Sequence, residues 1–300
     1  MTQPTPEALS PRQAADLAAQ HGLRRLGARP PLGQYIGALW SRRHFVKMLA
    51  SSDAMGRNQG SYLGQVWAVL NPLLQFAVFW VVFGVALNLS KGTSDFLSFL
   101  AIGVFLYGFM SSCLHSCATS IRSRLGLVRA LDFPRAVLPI SVVMTEIVMM
   151  WPALLVMFLV LILRGQPITW EWLLFPVVLV CMYSFILGAG FMLARICEAT
   201  PDYANLVGVA TQLLRYMSGV FFNIAQYAKN HELIAWLLEH QPLGLYLKLA
   251  RCVLITPDPK NPGEYAHYPY EWAMAVGWAA VFLGLGFVFF WRAEARYGRD

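Results

Sequence analysis

Two charged side chains interrupt apolar runs that are otherwise long enough to cross a membrane. Glu146 lies about ten residues into the run 136–163, and Arg215 about twelve residues into the run 203–227. A charge at the centre of a bilayer costs roughly 2.5–3.5 kcal/mol on insertion scales, so it normally has a partner or lines a wet path. The depths of the two residues differ by only ~3 Å at the helical rise per residue. We predict either a Glu146–Arg215 ion pair or an Arg215 that faces an aqueous pathway.

Motifs for catalysis and metal binding are absent from the sequence. It contains neither a G-x-x-x-x-G-K-[ST] phosphate loop nor an H-E-x-x-H motif. Cys113, His115 and Cys117 resemble a metal cluster at first, but on a helix His115 points about 200° away from the two cysteines. We interpret the cysteines as small packing residues of a buried helix. The chain is therefore predicted to be neither an enzyme nor a holder of metal or cofactor.

The composition indicates an integral membrane protein. Apolar residues make up 57% of the 300 residues and charged residues 13%, whereas soluble domains carry about 25% charged residues. The net charge of +7 could suggest nucleic-acid binding. We exclude that function, because the basic excess falls in loops that the positive-inside rule assigns to the cytoplasm.

Uncharged or nearly uncharged runs recur six times along the chain. The longest has 33 residues, between Arg57 and Lys91. About 20 apolar residues in a helix cover the ~30 Å hydrocarbon core. The predicted fold is therefore an all-α integral membrane protein with six transmembrane helices per subunit. The predicted spans are 66–87, 96–118, 137–163, 172–194, 204–226 and 272–291.

The distribution of basic residues predicts the orientation. With alternating loops assigned to two sides, 16 of the 23 Lys and Arg residues fall on one side. The positive-inside rule places that side, which includes both termini, in the cytoplasm. Residues 1–33 are predicted to be a cytoplasmic N-terminal extension, and residues 34–300 the transmembrane domain.

Two further segments are apolar but too short to cross. The segment 34–50 has apolar residues along one side and basic residues at the margins, which is typical of an amphipathic helix in the membrane interface; a soluble amphipathic helix is the alternative. The segment 233–255 has two apolar pieces separated by Gln241 and Pro242. It predicts either a re-entrant hairpin in the outer leaflet or a packed extracellular pair of helices.

The lead-in to the first span resembles the opening of ABC-2-type permeases. The family pattern is Arg-x-x-x-Gly-Ser-x-Leu-Gly-x-x-Trp-x-x-Leu-x-Pro, and this chain matches it at Arg57, Gly60, Ser61, Leu63, Gly64, Trp67, Leu70 and Pro72, with Arg57 one residue nearer to the Gly-Ser pair. Phe83-Gly84, Phe133-Pro134-Arg135 with Leu138-Pro139, and Gln241-Pro242-Leu243, where Gln replaces the usual Asn, also resemble the family. The similarity covers residues 35–295 and is greatest to the polysaccharide exporters.

This resemblance implies an assembly and a cargo. It implies a homodimer in the bacterial inner membrane that works with two copies of a separate ATPase, and that partner binds the ATP and Mg²⁺. The implied channel forms from spans one and five at the dimer interface. The implied cargo is a glycan on a polyprenyl diphosphate lipid, moved outward from the cytoplasm.

Three groups of residues suit these implied roles. Sugars have apolar faces and hydroxyl groups, so aromatic rings and polar side chains can guide them; packing or lipid-facing aromatics are the alternative. The channel-lining candidates are Trp67, Asn71, Gln75, Phe76, Phe79, Trp80, Phe83, Gln212, Arg215, Tyr216, Phe221 and Phe222.

Guanidinium groups bind phosphate well, and the candidates for the lipid diphosphate are Arg42, Arg43, Lys47 and Arg57. The segment 123–132 predicts a short helix parallel to the membrane. By the resemblance it docks on the ATPase through Arg124, Arg129, Leu131, Asp132, Phe133, Pro134 and Arg135.

Three alternative functions stay open at this point. An ABC-2 exporter of a drug or lipid keeps the fold and changes the cargo. An integral-membrane transferase that modifies glycans needs an essential carboxylate or histidine. An ion-coupled secondary transporter needs carboxylates at mid-membrane, and only Glu146 qualifies.

Overall fold

The computed structural model describes residues 17, 30–57, 64–87, 93–224, 232–257, 265 and 269–294, and its regular structure in these ranges is helical. The α-helices are α1 Leu32–Ser41, α2 Arg43–Gly56, α3 Trp67–Phe79, α4 Phe96–Thr119, α5 Leu125–Ala130, α6 Val137–Leu163, α7 Phe175–Ala199, α8 Asp202–Met217, α9 Glu232–His240, α10 Pro242–Leu254 and α11 Pro269–Arg292. A π-helical segment, Trp80–Ala86, continues α3. Short 3₁₀ helices precede α3, α5 and α7 at Gly64–Val66, Arg122–Arg124 and Trp170–Leu174.

Five helices are long and apolar enough to cross a membrane. They are Trp67–Ala86, Phe96–Thr119, Val137–Leu163, Trp170–Ala199 and Pro269–Arg292. They correspond to predicted spans one, two, three, four and six, with ends within about five residues of the predicted bounds. The chain is therefore a multi-pass membrane protein.

The predicted fifth span, 204–226, is wrong in its length. The corresponding helix α8 has 16 residues and ends at Met217, so it is only ~24 Å long. The backbone turns at Gly219, whose φ of 65° lies in the left-handed region. Glycine adopts that region without steric cost. Hydropathy does not register such a turn, because the residues that follow it are as apolar as those before it.

Helix α4 is the centre of the bundle, and α3 is at its edge. In the most apolar stretch of each span, 78% of the residues of α4 are buried inside the chain but only 6% of those of α3 and its π-helical continuation. Helix α4 packs against α6, α7, α8 and α10. Val69, Leu73 and Val78 of α3 are exposed, so much of the surface of α3 is available to lipid or to another chain.

Two glycines permit a close crossing of α7 and α11. A Cβ built on Gly286 would lie 2.1 Å from the carbonyl oxygen of Gly188, and one on Gly188 would lie 2.2 Å from the backbone carbon of Phe282. Small residues let membrane helices approach closely enough for backbone contact. The crossing attaches the last span to the core of the bundle.

Replacing Gly286 with alanine is expected to destabilise the folded chain by about 2 kcal/mol, as overpacking does. The added methyl group would overlap the backbone of α7, which has no rotamer with which to move away. The matched control is Gly284→Ala on the same helix, where a Cβ meets nothing within 4 Å. Thermal unfolding of the detergent-solubilised chain measures both. Equal melting temperatures for the two variants would contradict the close crossing.

The predicted amphipathic helix 34–50 consists of two helices. Helix α1 ends at Ser41, Arg42 adopts φ −90° and ψ 11°, and α2 begins at Arg43. Tyr35 and Val46 are buried against the bundle, whereas Trp40 is 72% exposed. The segment thus has one side on the protein and an apolar ring pointing away from it. Its location in the membrane interface stays a prediction.

The predicted hairpin 233–255 is present as helices α9 and α10, which meet at Gln241. Helix α10 is buried against α4, α7 and α11. The side-chain amide of Gln241 donates to the carbonyl of Met217 at 2.8 Å, which ties the hairpin to the end of α8. Helices α9 and α10 therefore form a helical pair that packs against the rest of the protein. Their insertion into the outer leaflet stays a prediction.

Candidate functional site

Three adjoining cavities form a polar groove along α4. The first, of about 260 Å³, lies among α2, α4 and α6. The second, of about 290 Å³, lies among α3, α4 and α6. The third, of about 450 Å³, lies among α3, α4 and α8. Arg57 lines the first two, Gln75 and Ser112 line the second and third, and His115 lines the first and third, so the three cavities adjoin one another. The polar groove is defined by Asp53, Arg57, Asn71, Gln75, Ser112, His115, Arg124, Glu146, Gln212 and Arg215.

Glu146 is held by Arg57 and two serines. The guanidinium of Arg57 forms an ion pair with the buried Glu146 carboxylate. Ser112 donates to the same carboxylate at 2.9 Å and Ser116 at 3.1 Å. The hydrogen bond to Glu146 raises the pKa of Arg57 above its ordinary value, although partial burial opposes this, so Arg57 stays charged and neutralises the carboxylate.

The Glu146–Arg215 ion pair predicted from the sequence is therefore wrong. Among the ion pairs of the described residues, Glu146 has Arg57 as its partner and Arg215 has none. Similar depths along their helices predicted a contact between Glu146 and Arg215. Glu146 pairs instead with a cation that lies outside the predicted spans. Arg57 follows the end of α2 and reaches Glu146 from there.

A second ion pair lies at the end of the groove that is predicted to be cytoplasmic. Arg124 pairs with Asp53 of α2 and donates to Ser141 of α6 at 3.0 Å. Because Arg124 precedes α5, this pair connects the predicted ATPase-contact segment to α2 and α6. Both carboxylates that line the groove, Asp53 and Glu146, are thus paired with arginines.

Arg215 lies in the largest of the three cavities. Its guanidinium carbon is 5.6 Å from the ring centroid of Tyr107 and 5.9 Å from that of Phe79. Its buried Nε has no hydrogen-bond partner among the described residues. The amides of Gln75 and Gln212 lie exposed in the same cavity. Arg215 thus lines a cavity, and the second of the two predictions for it, that it faces an aqueous pathway, stays a prediction.

Several predicted channel-lining aromatics lie in the core of the subunit instead. Phe76 is buried and stacks on Phe105 at 5.7 Å. Phe221 is completely buried, with Phe83 stacked on it at 4.2 Å and Phe79 at 4.8 Å. A buried ring cannot touch a passing solute, so the prediction is wrong for Phe76 and Phe221. The rings of Phe76 and Phe79 point inward because they lie on the side of α3 that packs against the bundle.

The other channel-lining candidates have different surroundings. Trp67 and Asn71 line the second cavity beside Gln75. Trp80 is 40% exposed and Tyr216 47% exposed on the surface of the subunit, and Phe222 is half-buried. The polar members of the predicted set therefore line the groove, and most of its aromatic members do not.

The four candidates for the lipid diphosphate do not share one environment. Arg42 is exposed at the break between α1 and α2, and Arg43 and Lys47 are exposed on α2. Arg57 is engaged by Glu146. The first three stay available to an anion at the predicted cytoplasmic surface, whereas Arg57 would have to leave Glu146.

The predicted ATPase-contact segment divides into an anchored part and an exposed part. Phe133 is buried and packs edge-on against Phe45 at 5.5 Å. The backbone N–H of Arg135 donates to Glu294 at 2.8 Å, and Tyr35 donates to the same carboxylate at 2.7 Å. The exposed part comprises Arg129, Leu131 and Asp132, with Leu131 50% exposed, and Pro134 is half-buried between the two parts. The exposed part lies on the surface of the subunit, and the anchored part connects it to α1, α2 and the end of α11.

Sequence reasoning missed the polar stripe of α4. Ser112, His115, Ser116 and Thr119 recur at intervals of three or four residues and line the groove beside Ser111 and Thr211. That spacing puts side chains on one face of a helix, so the stripe was visible in the sequence. Cys113 and Cys117 lie on a different face of α4 from this stripe. Cys113 and Cys117 are buried packing residues, as predicted.

The comparison with known families identifies the chain. The sequence profile of the ABC-2 type transporter family matches residues 45–253. The chain belongs to this family. The matched range contains every residue of the polar groove. Of the motif residues that suggested this ABC-2 membership, Gly60, Ser61 and Leu63 lie outside the described residues.

Curated relatives within the ABC-2 family carry one kind of name. The chain is 28% identical over 190 residues to the O-antigen export system permease protein RfbA of Myxococcus xanthus, which is 63% of this chain and 72% of that protein. It is 22% identical over 201 residues to the protein of the same name from Klebsiella pneumoniae, which is 66% of this chain and 74% of that protein. Both similarities cover most of the matched permease.

Proposed function

We propose that this chain is the membrane-spanning permease subunit of an ATP-driven exporter of a polysaccharide. In this proposal two copies form the transmembrane part and two copies of a separate ABC ATPase bind ATP and Mg²⁺. The cargo is a glycan on a polyprenyl diphosphate lipid, moved from the cytoplasm across the bacterial inner membrane. The similarity to O-antigen export permeases supports the polysaccharide class.

The polar groove is the observation that carries the proposal. Its lining includes amides, hydroxyls and an imidazole along α3, α4 and α8, which are the groups that exchange hydrogen bonds with sugar hydroxyls. Both carboxylates of the groove are paired with arginines, so neither is left as an obvious carrier for a coupling ion. This favours a path for a hydroxylated solute over the secondary-transporter alternative.

The exposure of α3 supports a dimer. An edge helix with 6% of its apolar stretch buried leaves much of its length to lipid or to a second copy. The groove opens between α3 and α8, the two helices that the family resemblance assigns to the channel. A second copy placed against α3 and α8 would cover the groove and convert it into an enclosed path.

Deleting the gene from the bacterium that encodes it is expected to remove the glycan from the cell surface while lipid-linked glycan accumulates inside. A plasmid copy of the wild-type chain should restore the surface signal, measured by immunoblot of surface glycan and mass spectrometry of the polyprenyl lipids. Arg129→Glu and Leu131→Asp should fail to restore it, because both change the exposed part of the predicted ATPase-contact segment, yet should still assemble as dimers in cross-linking. Arg292→Gln, at an exposed site at the end of α11 and outside that segment, is the control for folding.

Two outcomes would contradict the proposal. An unchanged surface glycan in the deletion strain, with a different lipid or a drug retained inside, would assign another cargo. Full export and ATPase co-purification with both contact variants would remove the exposed segment from the ATPase interface. Glycan modification that persists without any ATPase would instead support a transferase.

A further inference from the structure

The largest cavity of the polar groove contains a cation with no anion beside it. Arg215 has no ion pair among the described residues, and its Nε is buried without a hydrogen-bond partner. The lining of this cavity consists of Gln75, Gly108, Ser111, Ser112, His115, Gly208, Thr211, Gln212 and Arg215, and it includes no carboxylate. The nearest acidic residue of the adjoining cavity, Glu146, is already neutralised by Arg57.

An unpaired charge at this position needs compensation. A cation inside a membrane bundle is costly, and such residues typically pair or face a functional space. The rings of Tyr107 and Phe79 lie within 6 Å of the guanidinium, close to the distance limit at which ring faces attract cations. They orient the group, but its buried Nε–H has no acceptor among the described residues, which leaves that donor for an anionic acceptor.

The remaining lining groups indicate what the anion is attached to. Gln75 and Gln212 present amides that make no hydrogen bond within the part of the chain that the structure describes. His115 lies beside the backbone of Gly208, where a Cβ would come 3.8 Å from its ring, so the absence of a side chain there keeps the cavity open. The volume of about 450 Å³ is in the range of small-molecule sites, ~300–1,000 Å³. Amide and imidazole groups around a guanidinium suit a hydroxylated ligand that carries an oxyanion.

We propose that the Arg215 cavity binds the oxyanion of a charged sugar, a phosphate or carboxylate on a hydroxylated ring, as a station on the export path. This inference rests on the proposed function and adds the charge class of the transported unit. Guanidinium binds phosphate and carboxylate through paired N–H donors, and the neighbouring amides take the ring hydroxyls. A phosphate of a bilayer lipid has the same oxyanion chemistry, so the test must distinguish the two sources.

Binding to the purified full chain in phosphatidylcholine nanodiscs separates these possibilities. The probes are glucose 1-phosphate, glucose, glucuronate and dioctanoyl phosphatidate, titrated by calorimetry. Wild type should bind glucose 1-phosphate at least about tenfold more tightly than glucose, which corresponds to ~1.4 kcal/mol. Glucuronate should show a preference in the same direction. Arg215→Gln should reduce both ratios to about one, and Arg215→Lys should keep an intermediate preference because it keeps the charge without the fork. Arg292→Gln, at the exposed end of α11, should leave the ratios unchanged.

A second variant covers the case in which Arg215→Gln does not fold. Gly208→Val fills the cavity beside His115 and leaves the guanidinium intact, so it should abolish binding of all three sugars. Equal affinity for the charged sugars and glucose in wild type, or an unchanged preference in Arg215→Gln, would overturn the site. Binding of dioctanoyl phosphatidate alone, dependent on Arg215, would overturn the sugar and assign the cavity to bilayer lipid. If wild type lacks the charged-sugar preference but restores surface glycan in the deletion strain, the cavity assignment fails and the exporter proposal stands. If wild type has the preference but does not restore surface glycan, the exporter proposal fails and the binding site stands.

Discussion

Replacing Arg57 with alanine is expected to destabilise the folded chain by about 3 kcal/mol, which is more than replacing its partner Glu146. The side chain of Glu146 is 4% exposed, whereas that of Arg57 is 41% exposed. Removing Arg57 leaves a buried carboxylate with only two serine donors, and uncompensated buried charges cost about 3–5 kcal/mol. Removing Glu146 leaves an arginine that can turn towards water, so its cost is lower.

The double variant Arg57→Met/Glu146→Met separates the ion pair from simple packing. Replacing both members of a buried pair with apolar residues is often neutral, so the double variant should be more stable than Arg57→Ala. Arg43→Ala, which replaces an exposed arginine at the start of α2, should change stability by less than about 0.5 kcal/mol. Chemical denaturation of the detergent-solubilised chain gives the free energies. A double variant whose loss equals the sum of the single losses would contradict a coupled pair.

The spans were predictable because one property determines them. Helices α4 and α6 begin at Phe96 and Val137, as predicted from uncharged runs. Length and apolarity suffice for such a prediction, since a bilayer demands both along a whole helix. The end of α8 was not predictable in this way, because it depends on the left-handed backbone of Gly219, which has no hydropathy signature.

The types of residue in the site were predictable from the sequence, but the partners of its charged residues were not. The sequence identified Glu146, Arg57, Gln75 and Arg215 as unusual or polar residues near the path. Depth along a helix axis says nothing about rotation around it, so it assigned Glu146 to Arg215 instead of to Arg57. The same limitation applies to Phe76. Its ring is apolar and compatible with a core or a channel, and only the packing partner, Phe105, decides between them.

Replacing Arg251 with leucine is expected to have the largest effect on stability of any single change outside the groove, about 4 kcal/mol. The buried guanidinium donates to the carbonyls of Phe99 at 3.3 Å, Gly219 at 2.9 Å and Val220 at 3.2 Å. Its carbon lies 3.5 Å from the centre of the Phe99 ring. Each buried acceptor that loses its donor costs about 1–3 kcal/mol. Because two of the three carbonyls follow the end of α8, the substitution should also release α8 from the hairpin of α9 and α10.

Two further variants test whether the guanidinium itself, and not its charge, holds these elements together. Arg251→Lys should recover only part of the stability, because an ammonium has neither the planar fork nor a face to stack on Phe99. Gly103→Ala should act in the same direction, since its Cβ would lie 2.5 Å from an Arg251 nitrogen, whereas Gly108→Ala on the same helix meets nothing within 4 Å and should be neutral. Thermal unfolding ranks the four variants, and hydrogen exchange of residues 202–220 reports on the release of α8. Wild-type exchange there in Arg251→Leu would show that the guanidinium is not needed to hold α8, and that its packing on α4 and the bond from the Gln241 amide to the Met217 carbonyl suffice.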